Sequence, residues 1–175
     1  MDDVSAAKLA TEYLISLEHR KIAYISGGTA DIRSDLRHAG YQMGLKEFKN
    51  ELRDWRLDGD GTAESGRAVV ERLFIKGEVP TAFFCFNDNI SVGVISTLQL
   101  RGYRIPDDFS VIGFDDIPFA SNFSPGLTTI RQPRQRIGEL GMNLLLDTLS
   151  NRTMPSEIHK LRDDLIVRNS CASTP

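Results

Sequence analysis

Apolar residues recur along the chain in two patterns, one typical of amphipathic helices and one typical of buried strands. Helical spacing runs through residues 4–17, 33–48, 90–100 and 134–149, and through the stretch after Thr62, which is a plausible N-cap. Short apolar runs typical of strands lie at residues 21–26, 81–86 and 109–114, with weaker ones at 55–57 and 165–170. Helices and strands therefore alternate along most of the sequence.

This alternation predicts an α/β fold, a three-layer αβα arrangement with a mostly parallel sheet and helices on both faces. The run at residues 81–86 is apolar throughout, as a strand covered on both faces must be. Residues 117–132 have no clear period and are a candidate hinge or crossover. No internal repeat or low-complexity segment is visible.

Short polar side chains cluster directly after the strand-like runs. Asn87 and Asp88 follow one run, and Asp115 and Asp116 follow the next. In parallel sheets, ligands bind outside the carboxyl ends of the strands. These residues should therefore share one rim of the sheet with Asp58, Asp60 and the segment 27–37.

The composition argues against several classes of partner, among them nucleic acid and the membrane. The formal net charge is −3 and 26% of the 175 residues are charged, so a basic surface for gripping nucleic acid is not expected. No apolar run is long enough to span a bilayer, and the acidic, amphipathic N-terminus does not resemble a signal peptide. Cys85 and Cys171 have no metal-type spacing and are expected to be reduced thiols of a cytosolic protein.

An enzymatic function finds little support in the residues. The chain has no G-x-S-x-G and no H-E-x-x-H motif. The Gly27-Gly28 turn follows a strand, but Ile32 stands where a dinucleotide loop would need its third glycine. No histidine supports acid–base work by Asp115 and Asp116. The sequence therefore predicts that the chain is not an enzyme and that it uses no cofactor. The alternative is a small α/β enzyme.

Binding of a small molecule fits the rim better. Arg37 offers a forked donor, Asn87 an amide that donates and accepts, and Asp115 an acceptor. Such a set suits a polyhydroxylated ligand, whose hydroxyls both donate and accept hydrogen bonds. Taken singly, however, each residue has an ordinary structural explanation, a surface arginine for Arg37 and an N-cap for Asn87.

The amino-acid sequence around the rim identifies a protein family more specifically than the chemistry of its side chains does. In order and spacing, a series of segments strongly resembles the LacI/GalR family of bacterial transcription regulators: "HRKIAYISGG", "LRHAGY", "GDGTAESGR", "PTAFFCFNDNISVGV", "RGYRIPDDFSVIGFDDIPFA", "LTTIRQP" and "LIVRNSCA". The resemblance covers essentially the whole chain. It implies an effector-sensing domain of the periplasmic-binding-protein type (type I), in which a ligand cleft separates two α/β lobes.

Carried over by position, the resemblance identifies Arg37 as an effector-binding arginine. It identifies Asn87 and Asp115 as polar ligand contacts, and Gln132 as a residue near the crossover that reaches the cleft. Where many relatives carry an aromatic residue that stacks on the ligand, this chain has Gly61.

Arg33 lies four residues before Arg37 and can share its helix face. A second positive charge at the cleft would favour an anionic effector such as a phosphorylated or acidic sugar. The alternative is a solvated surface arginine. The expected effectors are therefore a sugar, a sugar phosphate or a nucleoside-like molecule.

The resemblance also implies how the chain divides. Residues 1–132 correspond to the second lobe, residues 133–163 to a crossover helix and connection that pack on a first lobe, and residues 164–175 to a returning strand and tail. The helix-turn-helix domain of the family has no counterpart here, so operator DNA is expected to be bound only through that absent domain. A sugar-binding protein of a transport system is the alternative.

The helix at 134–149 has a broad apolar face formed by Ile137, Leu140, Met142, Leu144 and Leu145. Without a first lobe, this helix must pack on its own sheet, pack on another copy of the chain, or stay mobile. Because such a face is rarely left exposed, the sequence predicts a homodimer.

Overall fold

The computed structural model describes residues 2–29, 31–48, 52–150 and 159–174. The helices are α1 (Asp3–Ser16), α2 (Ile32–Lys46), α3 (Ala63–Lys76), α4 (Asp88–Leu100) and α5 (Arg134–Leu149). The strands are β1 (Ile22–Ile25), β2 (Arg56–Leu57), β3 (Ala82–Cys85), β4 (Ser110–Asp115), β5 (Thr128–Arg131) and β6 (Asp164–Ile166). Within the described ranges, none of these helices is both long and apolar enough to cross a bilayer.

The strands form one six-stranded sheet in the order β2-β1-β3-β4-β5-β6. Strands β1 to β5 pair in parallel, and β6 runs antiparallel to β5. This arrangement confirms the predicted α/β fold with a mostly parallel sheet. The carboxyl ends of the parallel strands consequently meet at one edge of the sheet.

Strand β5 corrects the expectation for residues 117–132. That segment was expected to be a hinge or crossover without regular structure, yet Thr128–Arg131 pairs in parallel with β4. The strand is short and contains two threonines, so it lacks the unbroken apolar run that identified β1, β3 and β4. Burial of Thr128, Thr129 and Ile130 nevertheless places it inside the sheet.

The two faces of the sheet are separated by the alternation of side chains along each strand. In β3, Ala82 and Phe84 enter the core cluster beneath α1 and α2, whereas Phe83 and Cys85 enter the cluster beneath α3 and α4. All four are fully buried. Because both faces of this strand are buried, none of its side chains faces water, which explains its uniformly apolar sequence.

Glycines allow the paired helices on each face to approach closely. A Cβ on Gly44 of α2 would lie 2.8 Å from Cβ of Thr11 on α1. A Cβ on Gly93 of α4 would meet the carbonyl group of Ala63 on α3, with its carbon only 2.7 Å away. These contacts fix the helix pairs over the sheet and so fix where α2 and α4 begin at its rim.

Helix α5 differs from the other helices, because none of its residues is buried. Five of its large apolar side chains are exposed, from 39% for Ile137 to 72% for Leu149. Of the three expectations for its apolar face, packing against its own sheet is therefore wrong. The predicted association with another copy stays a prediction.

Candidate functional site

The rim at the carboxyl ends of the strands brings most of the predicted site residues together. Asn87 follows β3, Asp115 ends β4 and Gln132 follows β5. Arg37 reaches the same place from α2, although it lies far from the others in sequence. The ends of neighbouring parallel strands thus assemble residues that the sequence keeps apart.

Arg37 forms the centre of this cluster and is only 1% exposed. Its Nε donates to Oδ1 of Asp3 at 2.8 Å, and one terminal nitrogen donates to the backbone oxygen of Phe86 at 2.5 Å. The guanidinium lies 3.6 Å from the ring centroid of Phe114 and 4.5 Å from that of Phe86. The alternative of a solvated surface arginine is therefore wrong, since an unpaired charge at this depth would be costly.

Asp3 is a component of the site that the sequence did not point to. It lies in the first turn of α1, is 6% exposed and forms a buried ion pair with Arg37. The acidic start of the chain gave only a weak signal, because an acid in the first turn of a helix is common for electrostatic reasons alone. Its partner is 34 residues away, so local spacing carried no information.

Asp115 receives contacts from two sides. Its Oδ1 lies 3.6 Å from a terminal nitrogen of Arg37 and accepts a hydrogen bond from Nε2 of Gln132 at 2.5 Å. Its backbone oxygen accepts a hydrogen bond from Arg134 at 3.0 Å. Burial raises the pKa of the carboxyl, while the positive charges of Arg37, Arg134 and Arg33 act in the opposite direction. Its side chain remains 24% exposed, so it is the accessible end of the buried cluster.

The backbone at this point is strained. Asp115 has a φ of 114° and Asp116 a φ of 49°, values that L residues rarely adopt. Such conformations persist where the surroundings hold them, and they concentrate at functional sites. Here Asp116 is held by ion pairs with Arg131 at 2.6 Å and Arg168 at 2.7 Å.

Asn87 is half-buried at the start of α4 and has two structural tasks. Its Oδ1 accepts the backbone N–H of Ile90 at 2.9 Å, which makes it the N-cap of the helix. Its Nδ2 donates to the backbone oxygen of Gly61 at 2.9 Å. The predicted N-cap role is therefore present, and it places the amide beside the loop after β2.

Arg33 is oriented differently from Arg37. It is 55% exposed, and its side chain donates to Asp31 through Nε at 3.0 Å and a terminal nitrogen at 2.7 Å. This pairing lowers the pKa of Asp31. No hydrogen bond joins Arg33 to Arg37, Asp115 or Gln132 in the described part of the chain.

Asp88 stabilises the rim from below. It is 1% exposed, and its two carboxylate oxygens accept from Oγ1 of Thr129 at 2.6 Å and from the backbone N–H of Ile117 at 2.9 Å. Burial raises its pKa from 3.8 to about 6. The residue therefore fastens the loop after β4 to strand β5 instead of facing a ligand.

The remaining acids of the predicted rim are also used locally. Oδ1 of Asp60 accepts from the backbone and hydroxyl of Thr62, at 2.9 Å and 2.6 Å, and so orders the turn before α3. Asp58 contributes its backbone oxygen to Arg72 at 3.1 Å. Among the described residues, no group of three or more His, Cys, Asp or Glu side chains is arranged to hold a metal ion.

An open pocket of about 390 Å³ lies beside the cluster and has Asp115 and Gln132 in its wall. Arg131 of β5 and Arg134, Arg136 and Glu139 of α5 also line it. The accessible groups are thus a carboxylate, an amide and further hydrogen-bonding side chains, while Arg37 lies beneath them. This set can bind hydroxyl groups, but it contains no paired nucleophile and base.

Comparison with known proteins identifies the family to which this chain belongs. Residues 11–171 match the family model described as periplasmic binding protein-like domain. The transcriptional repressor PurR of Vibrio parahaemolyticus is 36% identical over 163 residues, which cover 93% of this chain and 49% of that protein. The chain therefore spans about half the length of this curated relative.

Two solved structures show the same fold. The transcription regulator CcpA of Lactococcus lactis superposes with a TM-score of 0.87 at 30% identity, covering 98% of this chain and 63% of that one. A LacI-family transcriptional regulator of Enterococcus faecium, with bound ribose, superposes with a TM-score of 0.90 at 27% identity, covering 100% of this chain and 65% of that one.

The family match and the fold define a periplasmic-binding-protein-like domain. More narrowly, the chain belongs to the LacI/GalR family of bacterial transcription regulators and corresponds to part of their effector-binding domain. The relatives are transcriptional repressors and not enzymes, which confirms the prediction that this chain is not an enzyme.

Proposed function

We propose that this chain senses a small polyhydroxylated effector, a sugar or sugar derivative, at the rim formed by Arg37, Asn87, Asp115 and Gln132. The observation that carries the proposal is the buried Arg37 clamped between Phe86 and Phe114, which holds Asp115 at the surface of the rim. Burying a guanidinium is energetically unfavourable, and Arg37 is buried at the edge where parallel strands end and ligands of such folds bind.

A neutral effector is favoured over an anionic one, since the pocket beside Asp115 is lined by as many acids (Asp115, Asp116 and Glu139) as arginines (Arg131, Arg134 and Arg136). Arg37 already faces two carboxylates, those of Asp3 and Asp115, and Arg33 is paired with Asp31. The side chain of Asp115 is 24% exposed, and its carboxylate accepts hydrogen bonds from hydroxyls and repels phosphate. The ribose bound to the Enterococcus faecium regulator is consistent with this choice.

Arg37 acts in this proposal mainly as a positioning residue. With 1% exposure it lies under Asp115, so direct contact with an effector requires the Asp115 carboxylate to move aside. Gly61 lies beside Asn87, since an added Cβ would make an ordinary van der Waals contact with Nδ2 of Asn87 at 3.6 Å. The effector would lie between Asn87 and the Asp115–Gln132 pair.

In the whole regulator, the effector would bind between two lobes and favour one closure angle, which alters DNA binding by a separate domain. We assign residues 1–132 and 164–175 to the lobe described here, and residues 133–163 to contacts with the other lobe. One observation supports the assignment of α5: none of its residues is buried in this structure. The same proposal implies that the whole regulator binds operator DNA and acts in the cytoplasm.

The alternative of a transport-type sugar-binding protein has the same fold. The curated relative is a transcriptional repressor, so the alternative is not favoured. The two functions also differ in a simple property, because only the regulator changes its affinity for DNA when the effector binds.

A thermal-shift screen tests the proposed site. A ligand of the native state raises the melting temperature by mass action, so the chain is screened against sugars, sugar phosphates and nucleosides. We expect a neutral sugar to raise the melting temperature of the wild-type chain and to have little effect on Asp115→Asn. Stabilisation only by sugar phosphates would contradict the assignment of a neutral effector.

The choice of variant matters for this test. Arg37→Ala would leave the buried carboxylate of Asp3 unpaired and would cost about 3–5 kcal/mol, so loss of binding could not be separated from loss of folding. Asp115→Asn keeps the shape and the acceptor for Gln132. The matched control is Asp107→Asn, which makes the same change at a side chain that is 58% exposed in the loop before β4. If both variants respond to the sugar as the wild type does, the rim is not the binding site.

A further inference from the structure

A second cavity lies at the opposite end of the sheet from the rim. It has a volume of about 590 Å³, larger than the 390 Å³ pocket beside Asp115. It is lined where strands begin: Ile22 starts β1, Trp55 directly precedes β2, and Val79 stands shortly before β3. Nothing in the proposed effector site uses these residues, so this end-of-sheet pocket requires a separate explanation.

The floor of the end-of-sheet pocket is apolar and aromatic. Ile22 is 2% exposed, and Trp55 and Val79 are half-buried against the core. The Trp55 backbone is fixed on both sides, since its N–H donates to Oη of Tyr41 and its oxygen accepts from the backbone N–H of Tyr24 at 2.9 Å. Within the described ranges, the indole N–H has no hydrogen-bond partner, so it is a free donor. A half-buried tryptophan beside a cavity offers an apolar ring and an N–H donor for recognition.

The walls are mainly cationic, although the whole chain carries a net charge of −3. Arg20, Lys21 and Arg53 line the pocket, and Glu78 is the single acid among its lining residues. The Lys21 ammonium makes no ion pair with any described residue. Arg53 lies 5.1 Å from the Trp55 ring centroid and 3.6 Å from Glu78, while it remains 68% exposed. Concentrated positive charge over an apolar floor attracts an anion that has an apolar body.

We propose that the end-of-sheet pocket is a second ligand site, distinct from the effector rim, for a small aromatic anion such as an aryl phosphate or aryl carboxylate. The ring would stack on Trp55, and the anionic group would contact Lys21 and Arg53. Glu78 competes for Arg53 and would repel a second negative charge. The proposal does not depend on the identity of the effector at the rim.

The single tryptophan of the chain makes the site directly observable. Phenyl phosphate is titrated into the protein while the fluorescence of Trp55 is recorded, with phenol and inorganic phosphate as matched probes that carry only the ring or only the charge. We expect a saturable change with phenyl phosphate, weaker binding at high salt, and little change with either half-probe. No saturable response to phenyl phosphate, or an equal response to phenol, would overturn the proposal.

Substitutions inside and outside the end-of-sheet pocket test where phenyl phosphate binds. Lys21→Ala and Arg53→Ala are each expected to weaken phenyl phosphate binding about fivefold, the scale of one partly exposed charge contact. Lys8→Ala, which removes the same charge from α1 outside the pocket, and Asp115→Asn at the rim should leave binding unchanged. Loss of binding in Asp115→Asn would assign the signal to the rim and overturn the proposal.

A measurement on the wild-type chain covers the case in which a variant fails to fold. The indole N–H of Trp55 gives one resonance in a proton–nitrogen correlation spectrum. We expect phenyl phosphate to shift it progressively and to saturate with the same dissociation constant as the fluorescence. An unshifted indole resonance in the presence of bound phenyl phosphate would place the ligand elsewhere and overturn the proposal.

Discussion

At the scale of single residues, the chain uses the same polar types for folding and for the candidate site. Asp88 and Asp115 lie on adjacent strand ends, and both have a pKa raised by burial. Asp88 faces inward and joins the loop after β4 to strand β5, whereas Asp115 keeps part of its carboxylate accessible. The depth of each side chain, and not its chemistry, separates the structural acid from the candidate ligand-binding acid.

Asp88 should make the stability of the protein depend on pH. Its pKa rises from 3.8 to about 6 on folding, so the folded state holds a proton that the unfolded chain releases between these values. Its contribution is therefore fully present below the unfolded pKa and is lost as the pH rises through about 6. A shift of about two units corresponds to a loss of about 3 kcal/mol in the free energy of unfolding.

Urea denaturation of the wild type and of Asp88→Asn across this pH range measures the effect. Other acids with raised pKa values titrate in both proteins, so the difference between the two curves isolates Asp88. Parallel curves from pH 4 to pH 7 would show that Asp88 does not titrate in this window.

The residue scale also shows what the sequence could and could not predict about the site. Asn87 and Asp115 were placed on one rim because they directly follow strand-like runs, a local signal, whereas Gln132 was identified only through the family resemblance, because the strand before it was not predicted. The burial of Arg37 depends on Phe86 and Phe114, which come from other strands, and on Asp3 from α1. Contacts between elements that are distant in sequence leave no local pattern, so Asp3 was missed and Arg37 stayed ambiguous.

At the scale of elements, close packing of the helices depends on glycines, which have no side chain at the contact. Gly93 of α4 faces the backbone of Ala63 at the start of α3, and backbone cannot move aside as the end of a side chain can. Gly93→Ala should therefore lower the free energy of unfolding by about 1–3 kcal/mol, the usual cost of overpacking. Chemical denaturation gives the value directly.

Gly141→Ala is the matched control for this prediction. Gly141 lies within α5, and nothing is within 4 Å of an added Cβ. The higher helix propensity of alanine should then leave stability unchanged or raise it by up to about 1 kcal/mol. Equal effects of the two substitutions would mean that the α3–α4 contact does not limit stability.

Element prediction succeeded where an apolar pattern was long or unbroken. Strands β1, β3 and β4 and all five helices were identified from such patterns. Strand β5 was missed because its threonines are polar by type, although they are buried between β4 and β6. Its position depends on neighbouring strands, which no window of local sequence describes.

At the scale of the whole molecule, α5 should drive association. Met142, Leu145, Leu146 and Leu149 are each more than half exposed, and an apolar patch of this kind marks an interaction surface. We expect sedimentation velocity to show a concentration-dependent dimer, and Leu145→Glu to shift the equilibrium towards monomer.

The control for this experiment is Leu100→Glu, the same substitution at the end of α4, where the side chain is 77% exposed. It should leave the oligomeric state unchanged, because Leu100 lies outside α5. A wild-type chain that remains monomeric at all concentrations would contradict the prediction, as would an equal effect of the two variants.

The antiparallel strand β6 has a consequence for protein synthesis. Residues 164–166 pair with β5, and the following residues supply partners to β4, through Ser170 to Val111 and Ala172 to Ser110. While a ribosome is still making the preceding residues, β5 has one unpaired edge, the kind of edge that recruits strands from neighbouring chains. The emergence of residues 164–172 therefore covers the edge of β5, and until then the nascent chain exposes that edge to aggregation.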